Sequence, residues 1–195
     1  MWIRLSIILI ATVVFINGCN SIFSRYLGTH RLHTDTIDEV KARGVGAADF
    51  VAVTGGVATG DFAVGPLKNE KDRAVILYPI VSPGELEELK AGRQVKPAVI
   101  AWEKRPVGED PLKSGYQAPK GPLDIKGLVR KPLKRQNKAA ELPAVQYLNP
   151  EEAVYVEVNK EPIAWYWNLG MMIVASILLY FAGRKLFLAG QNQEK

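Results

Sequence analysis

A chain of 195 residues with one cysteine and a formal net charge of +5 has room for a single domain once its apolar ends are set aside. The lone cysteine excludes an internal disulfide and any multi-cysteine zinc site. A mean hydropathy near zero averages two apolar ends with a polar middle punctuated by proline and glycine.

Residues 1–27 open with Arg4 and an apolar run from Leu5 to Ile16. Such a run is short for a membrane span and suits the hydrophobic region of a signal peptide. Its end, Ile16-Asn17-Gly18-Cys19, carries the small residue before cysteine that a bacterial lipobox requires, which makes Cys19 a lipidation candidate. The alternative is an uncleaved signal anchor that extends through Ile22 and Phe23 to Leu27. The anchor is preferred, because a chain with a second span has no need of a lipid.

His30 and His33, the only histidines, come next, followed by Asp35. On a helix they would share one face and could join a carboxylate around a metal. No third ligand is set by the spacing, so a solvated linker is the plainer reading, and no metal or other cofactor is expected.

Residues 28–162 read as one extracytoplasmic domain. Thr36-Ile37-Asp38-Glu39 is a capping box that starts a helix of about two turns, stopped by Gly44. Phe50–Thr54 is a strand, ended by Gly55-Gly56. Gly55 to Gly60 has the glycine spacing of a phosphate loop, but Asp61 and Phe62 stand where that motif needs lysine and a hydroxyl, so a turn is expected. A short strand near Phe62–Val64 and a buried strand within Arg73–Val81 follow. Ser82-Pro83-Gly84-Glu85 is a second capping box, with proline where its missing N–H is harmless, and its helix stops at Gly92. Val95–Lys104 is a strand around Val99–Trp102. The density of proline and glycine over 105–122 predicts a long ordered loop. Leu123–Arg130 and Ala153–Val158 supply the last strands. Five or six strands with two short helices predict a membrane-anchored α+β protein whose small β-rich domain is a barrel or sandwich, with an OB-like barrel among the fits.

Residues 163–183 contain no ionisable side chain except tyrosine. At 1.5 Å per residue they reach about 31 Å, the thickness of a bilayer core. Trp165, Tyr166 and Trp167 form an interfacial cluster at one end, and Arg184 and Lys185 flank the other, ahead of a cytoplasmic tail over 184–195. The positive flank predicts a cytoplasmic C-terminus and a domain outside the cytoplasm, most simply at a bacterial inner membrane.

Lys126, Arg130, Lys131, Lys134, Arg135 and Lys138 form the main basic cluster. No aromatic residue interleaves with them for base stacking, so nucleic acid is not the expected partner. Lipid headgroups or an acidic protein suit them better. Glu103, Glu109, Asp110 and Asp124 could supply a catalytic carboxylate pair, although acidic residues in loop-rich segments are ordinarily solvated. No serine has a nucleophile-elbow setting.

Two terminal membrane segments around a β-rich domain, together with Val53-Thr54-Gly55, Leu77-Tyr78-Pro79-Ile80, Ile125-Lys126-Gly127-Leu128-Val129-Arg130 and the run from Val99 through Trp102 to Pro106, resemble the Surfeit-locus family of cytochrome c oxidase assembly proteins. The resemblance implies an assembly factor for a respiratory membrane complex. Where that family enters its second membrane helix with a histidine, this chain has Lys160-Glu161-Pro162-Ile163-Ala164-Trp165. The residues themselves predict a membrane-tethered, non-catalytic interaction module that binds another membrane or envelope protein. The alternatives are the assembly factor and an envelope enzyme with a carboxylate site.

Overall fold

The computed structural model describes residues 2–65, 73–133, 142–143 and 146–191. The chain divides into a helical unit, residues 1–31 with 162–195, and a sheet unit, Leu32–Glu161.

In the helical unit, α1 (Trp2–Leu27) and α4 (Trp165–Gln191) lie antiparallel. Arg25 donates to the Ile163 carbonyl near one end, and Ile7 and Leu178 line a common groove near the other. The stretches Leu5–Tyr26 and Trp165–Arg184 are long and apolar enough to cross a membrane. Most of their large side chains point outward, as with Leu9, Ile10, Phe23, Ile173 and Phe181. α4 begins after Pro162, whose ring holds the preceding residue out of helical geometry, and no later proline stops it. It therefore continues past Arg184 and Lys185, beyond the end expected at Gly183.

Small residues set the spacing of this pair. A Cβ on Gly18 would stand 2.5 Å from Met172 Cγ. Beside it, the buried Asn168 donates a 2.8 Å hydrogen bond to Ser21 Oγ. Polar bonds of this kind hold apolar helices together where greasy contacts give no preference. Asn168→Leu keeps the branched outline of the side chain and removes the bond, and it is expected to weaken helix pairing by about 1 kcal/mol in an SDS-titration unfolding assay.

The sheet unit is α+β. Its strands are β1 (His33–Thr36), β2 (Phe50–Thr54), β3 (Val57–Thr59), β4 (Ala63–Gly65), β5 (Arg73–Val81), β6 (Val99–Val107), β7 (Lys120–Pro122), β8 (Ile125–Val129) and β9 (Val154–Val158). They form one mixed sheet in the order β1-β2-β8-β9-β6-β5-β3-β7, with β4 also on β5, and this ladder does not close on itself. The β1–β2 and β6–β9 pairs are parallel and the others antiparallel. Among the described residues nine strands replace the five or six expected, because β1, β3 and β7 are three- or four-residue pieces, too short to show a period in sequence, while β4 falls at the short strand expected near Phe62–Val64. The expected loop over 105–122 shrinks accordingly, since β6 runs to Val107 and β7 starts at Lys120.

Both helices of this unit start where their capping boxes lie. In α2 (Ile37–Arg43), Thr36 Oγ1 accepts from the Glu39 N–H and Glu39 accepts from the Thr36 N–H at 2.8 Å. That second bond holds the Glu39 carboxyl below the usual range. α3 (Pro83–Lys90) repeats the pattern with Ser82 and Glu85.

β5, β6 and β9 are buried on both faces. Val51, Val53, Ile76, Tyr78, Ile80, Val99, Ala101, Ile125 and Val156 share one core with Ile37 and Val40 of α2. Val75, Leu77, Ile100, Trp102 and Tyr155 share the other with Leu142 and Tyr147, and Leu86 and Leu89 of α3 pack against it. Pro79 sits inside central strand β5, where a missing N–H is normally excluded. It is tolerated because β4 pairs with Val75–Leu77 and β3 with Ile80–Val81, which leaves Pro79 at the break between them.

Candidate functional site

The basic cluster expected from sequence is only partly described: Lys134, Arg135 and Lys138 lie outside the described residues. Lys126, Arg130 and Lys131 line the run of β8 and the residues after it, and each rests on a ring from another strand. Lys126 Nζ stands 5.1 Å from the centre of the Phe50 ring and pairs with Glu161 at 2.7 Å. The Arg130 guanidinium lies 6.0 Å from the Trp102 ring centre, and Lys131 Nζ lies 5.1 Å from that of Tyr155. Phe50 comes from β2, Trp102 from β6 and Tyr155 from β9. All three rings are buried, so the cations cap them and no base could stack there.

Beneath this surface lies Glu157, whose side chain is only 8% exposed. It is register-paired with Trp102 on one side and Leu128 on the other. Its Oε2 accepts from both Nε and Nη2 of Arg130, and Lys104 Nζ lies 3.8 Å from Oε1. Lys104 also stands 5.5 Å from the Trp102 ring centre. Trp102 Nε1 donates a 2.7 Å bond to the Arg130 carbonyl, and Lys131 donates to the Glu151 carbonyl at 2.9 Å. A cavity of about 300 Å³ opens here, lined by Trp102, Lys104, Arg130, Lys131, Pro132 and Leu133. Among the described residues, three cations against one carboxylate leave two positive charges uncompensated at this notch. Sequence reading singled out two of the three cations and missed Lys104, Trp102 and Glu157, which only the β8–β9–β6 register brings in.

The other candidate residues are engaged elsewhere. α1 ends at Leu27, His30 lies in a turn and His33 opens β1, so the shared helical face expected for the two histidines does not form. Asp35, the carboxylate expected to join them, binds Arg43 at 2.7 Å. Among the described residues no group of three or more His, Cys, Asp or Glu is arranged to hold a metal. Cys19 is half-buried within α1.

The carboxylates considered for catalysis have structural partners. Glu103 and Glu109 both pair with Arg105, and Tyr116 donates to Glu103 at 3.3 Å. Asp110 accepts from the Leu112 N–H, and Asp124 from the Gly55 N–H at 2.9 Å. That last bond, with Leu123 N–H donating to the Gly56 carbonyl, pins the glycine turn against the β7–β8 junction. A Cβ on Gly56 would lie 2.5 Å from Ile80 Cγ2, so the glycine is required for packing and not for phosphate.

Among the described residues, three tyrosines hold their hydroxyl protons more tightly in the fold than free tyrosine does. Burial, then the charge of Glu103, pushes Tyr116 up to about 12 and raises Tyr78 further. Burial and the 2.6 Å bond to Asp61 raise Tyr147. A raised folded-state pKa means that the unfolded chain releases these protons first, near the ordinary tyrosine value of about 10. Stability contributed by these groups is complete below about pH 10 and falls as pH climbs toward 12. Urea titrations at stepped pH are expected to show that decline, and Tyr116→Phe is expected to flatten it.

The chain matches no protein-family model, no curated protein and no solved structure.

Proposed function

We propose that this chain is a membrane-tethered, non-catalytic interaction module. α1 and α4 anchor it as a helical hairpin, and its sheet domain contacts another membrane or envelope protein through the basic face that follows β8. The observation that carries the contact surface is the seating of Lys126, Arg130 and Lys131 on buried rings. Cations fixed in this way lose less conformational freedom on binding than free lysines do. The tether is supported by the outward apolar faces of both helices and by the groove between them, about 610 Å³ and lined by apolar side chains such as Ile10, Val14 and Val174 with Gly170. Such a groove suits acyl chains.

A photo-crosslinker at Lys131, and separately at Lys126, tests the contact in native membranes. The proposal expects a discrete protein adduct that is lost on charge reversal of the neighbouring cation. Adducts to lipid alone, or none from either position, would count against it. Arg184 and Lys185 toward the end of α4, against Lys160 before it, favour cytoplasmic ends and an outward domain at a bacterial inner membrane. Alkaline phosphatase joined after Asn159 should then be active, and joined after Lys195 inactive.

We also read the sheet as an OB-like barrel. β2 and β3 form one run bent at Gly55-Gly56, and β7 and β8 another bent at Leu123-Asp124, so covalent continuity links the two limbs of the ladder. One face of β2, β5, β6, β8 and β9 meets in a single core, as a barrel interior requires. The layout of two apolar helices around a sheet domain keeps the Surfeit-type assembly factor as a second reading. Haem or copper that co-purifies with the full chain and is lost on His30→Ala or His33→Ala would support it.

A further inference from the structure

We infer that the notch between Trp102 and Arg130 is a binding site for a phosphate monoester dianion. The inference rests on reading the β8 face as a contact surface, and it names the group recognised there. Lys104, Arg130 and Lys131 all line one cavity of about 300 Å³, and among the described residues no carboxylate lines it. Glu157 lies below, where it fixes the guanidinium through Nε and Nη2. Nη1 of Arg130 has no partner among the described residues and remains to donate. A guanidinium held on one edge by a carboxylate is the arrangement that presents the other edge to a second anion at least entropic cost.

The charge count selects the ligand. Two uncompensated positive charges match a dianion, whereas a single carboxylate would leave one cation unpaired beside a buried indole. Three cationic donors also match the three terminal oxygens of a monoester. Trp102 contributes a flat wall and no donor, because its N–H is taken by the Arg130 carbonyl. Pro132 is buried and Leu133 is 62% exposed, so the rim offers apolar contact to whatever carries the phosphate. The volume suits a phosphate with a small body, at the lower end of small-molecule sites. Both a soluble phosphorylated compound and a lipid phosphomonoester headgroup present this group.

The test uses the full chain in dodecyl maltoside, which contains no phosphate. Inorganic phosphate and glycerol 3-phosphate are titrated at fixed ionic strength and followed by phosphorus NMR line width. Saturable binding is expected, weakened about tenfold or more by Lys131→Gln and by Arg130→Gln, since each removes a charge-assisted bond. Lys90→Gln, on α3 and paired with Glu87, should leave it unchanged. Lys131→Gln carries the decision if Arg130→Gln does not fold. Nanodiscs with phosphatidic acid, compared with phosphatidylcholine alone, identify the source: displacement of bound soluble phosphate by the acidic lipid indicates a headgroup, and no displacement indicates a soluble ligand. Absence of saturable binding, equal affinity in Lys131→Gln, or equal binding of acetate would overturn the inference. If that happens while the Lys131 crosslink to a protein persists, the phosphate assignment falls alone and the interaction module stands.

Discussion

Arg130→Ala is expected to destabilise the sheet domain by about 2–3 kcal/mol, and more than Glu157→Gln does. The asymmetry follows from burial. Glu157 is 8% exposed and Arg130 45% exposed, so truncating the arginine strands a carboxylate away from water. Removing one partner of a fully buried pair ordinarily costs about 3–5 kcal/mol. Two features lower that figure here: the half-exposed arginine is already partly solvated, and Lys104 Nζ, at 3.8 Å, retains some attraction for the orphaned charge. In Glu157→Gln the guanidinium can turn into solvent, so a cost of about 1 kcal/mol is expected, in the range of exposed pairs. Hydrogen exchange of β8 and β9 peptides along a urea titration of the full chain reads both values. Equal stabilities for Arg130→Ala and the parent chain, or the reverse order, would mean that Glu157 is not the buried anchor of this surface.

Gly127→Ala is expected to be at least as damaging, by about 3 kcal/mol, at the upper end for overpacking. An added Cβ would stand 2.0 Å from the Glu157 carbonyl oxygen, 2.8 Å from its carbon and 3.0 Å from Val156 Cγ1. The first two are backbone atoms and cannot rotate away. β9 would have to separate from β8 while remaining paired with β6 on its other edge. Gly84→Ala is the control, with nothing nearer than Ser82 Oγ at 4.0 Å and a helical position, where alanine is the better residue by about 0.5–1 kcal/mol. Thermal unfolding of the two variants should therefore move in opposite directions.

What could be read in advance depended on the reach of the interactions. The Thr36–Glu39 and Ser82–Glu85 caps close within four residues, so their sequence signatures are complete in themselves, and both formed. The apolar ends were legible because an outward-facing hydrophobic helix needs no partner to be recognised. The short strands β1, β3 and β7 were not, since their pairing is set by distant neighbours such as Val51, Val81 and Val57. The buried strand within Arg73–Val81 was legible, but the tolerance of Pro79 inside it rests on the break between β3 and β4. The basic cluster looked free of aromatics along the chain. Its rings arrive from other strands, with Trp102 bonded to Arg130 across 28 positions of sequence. His30 and His33 share no helical face for a local reason, because the chain leaves helical geometry at Gly28 and enters a strand at His33.

The proposed tether rests on one energetic premise: Leu5–Tyr26 and Trp165–Arg184 are more stable among lipid tails than in water. Extraction of native membranes with alkaline carbonate, without detergent, measures this directly. The account predicts that the intact chain stays with the sedimented membranes. Its recovery in the supernatant would contradict the anchor, and with it the orientation and the function built on it.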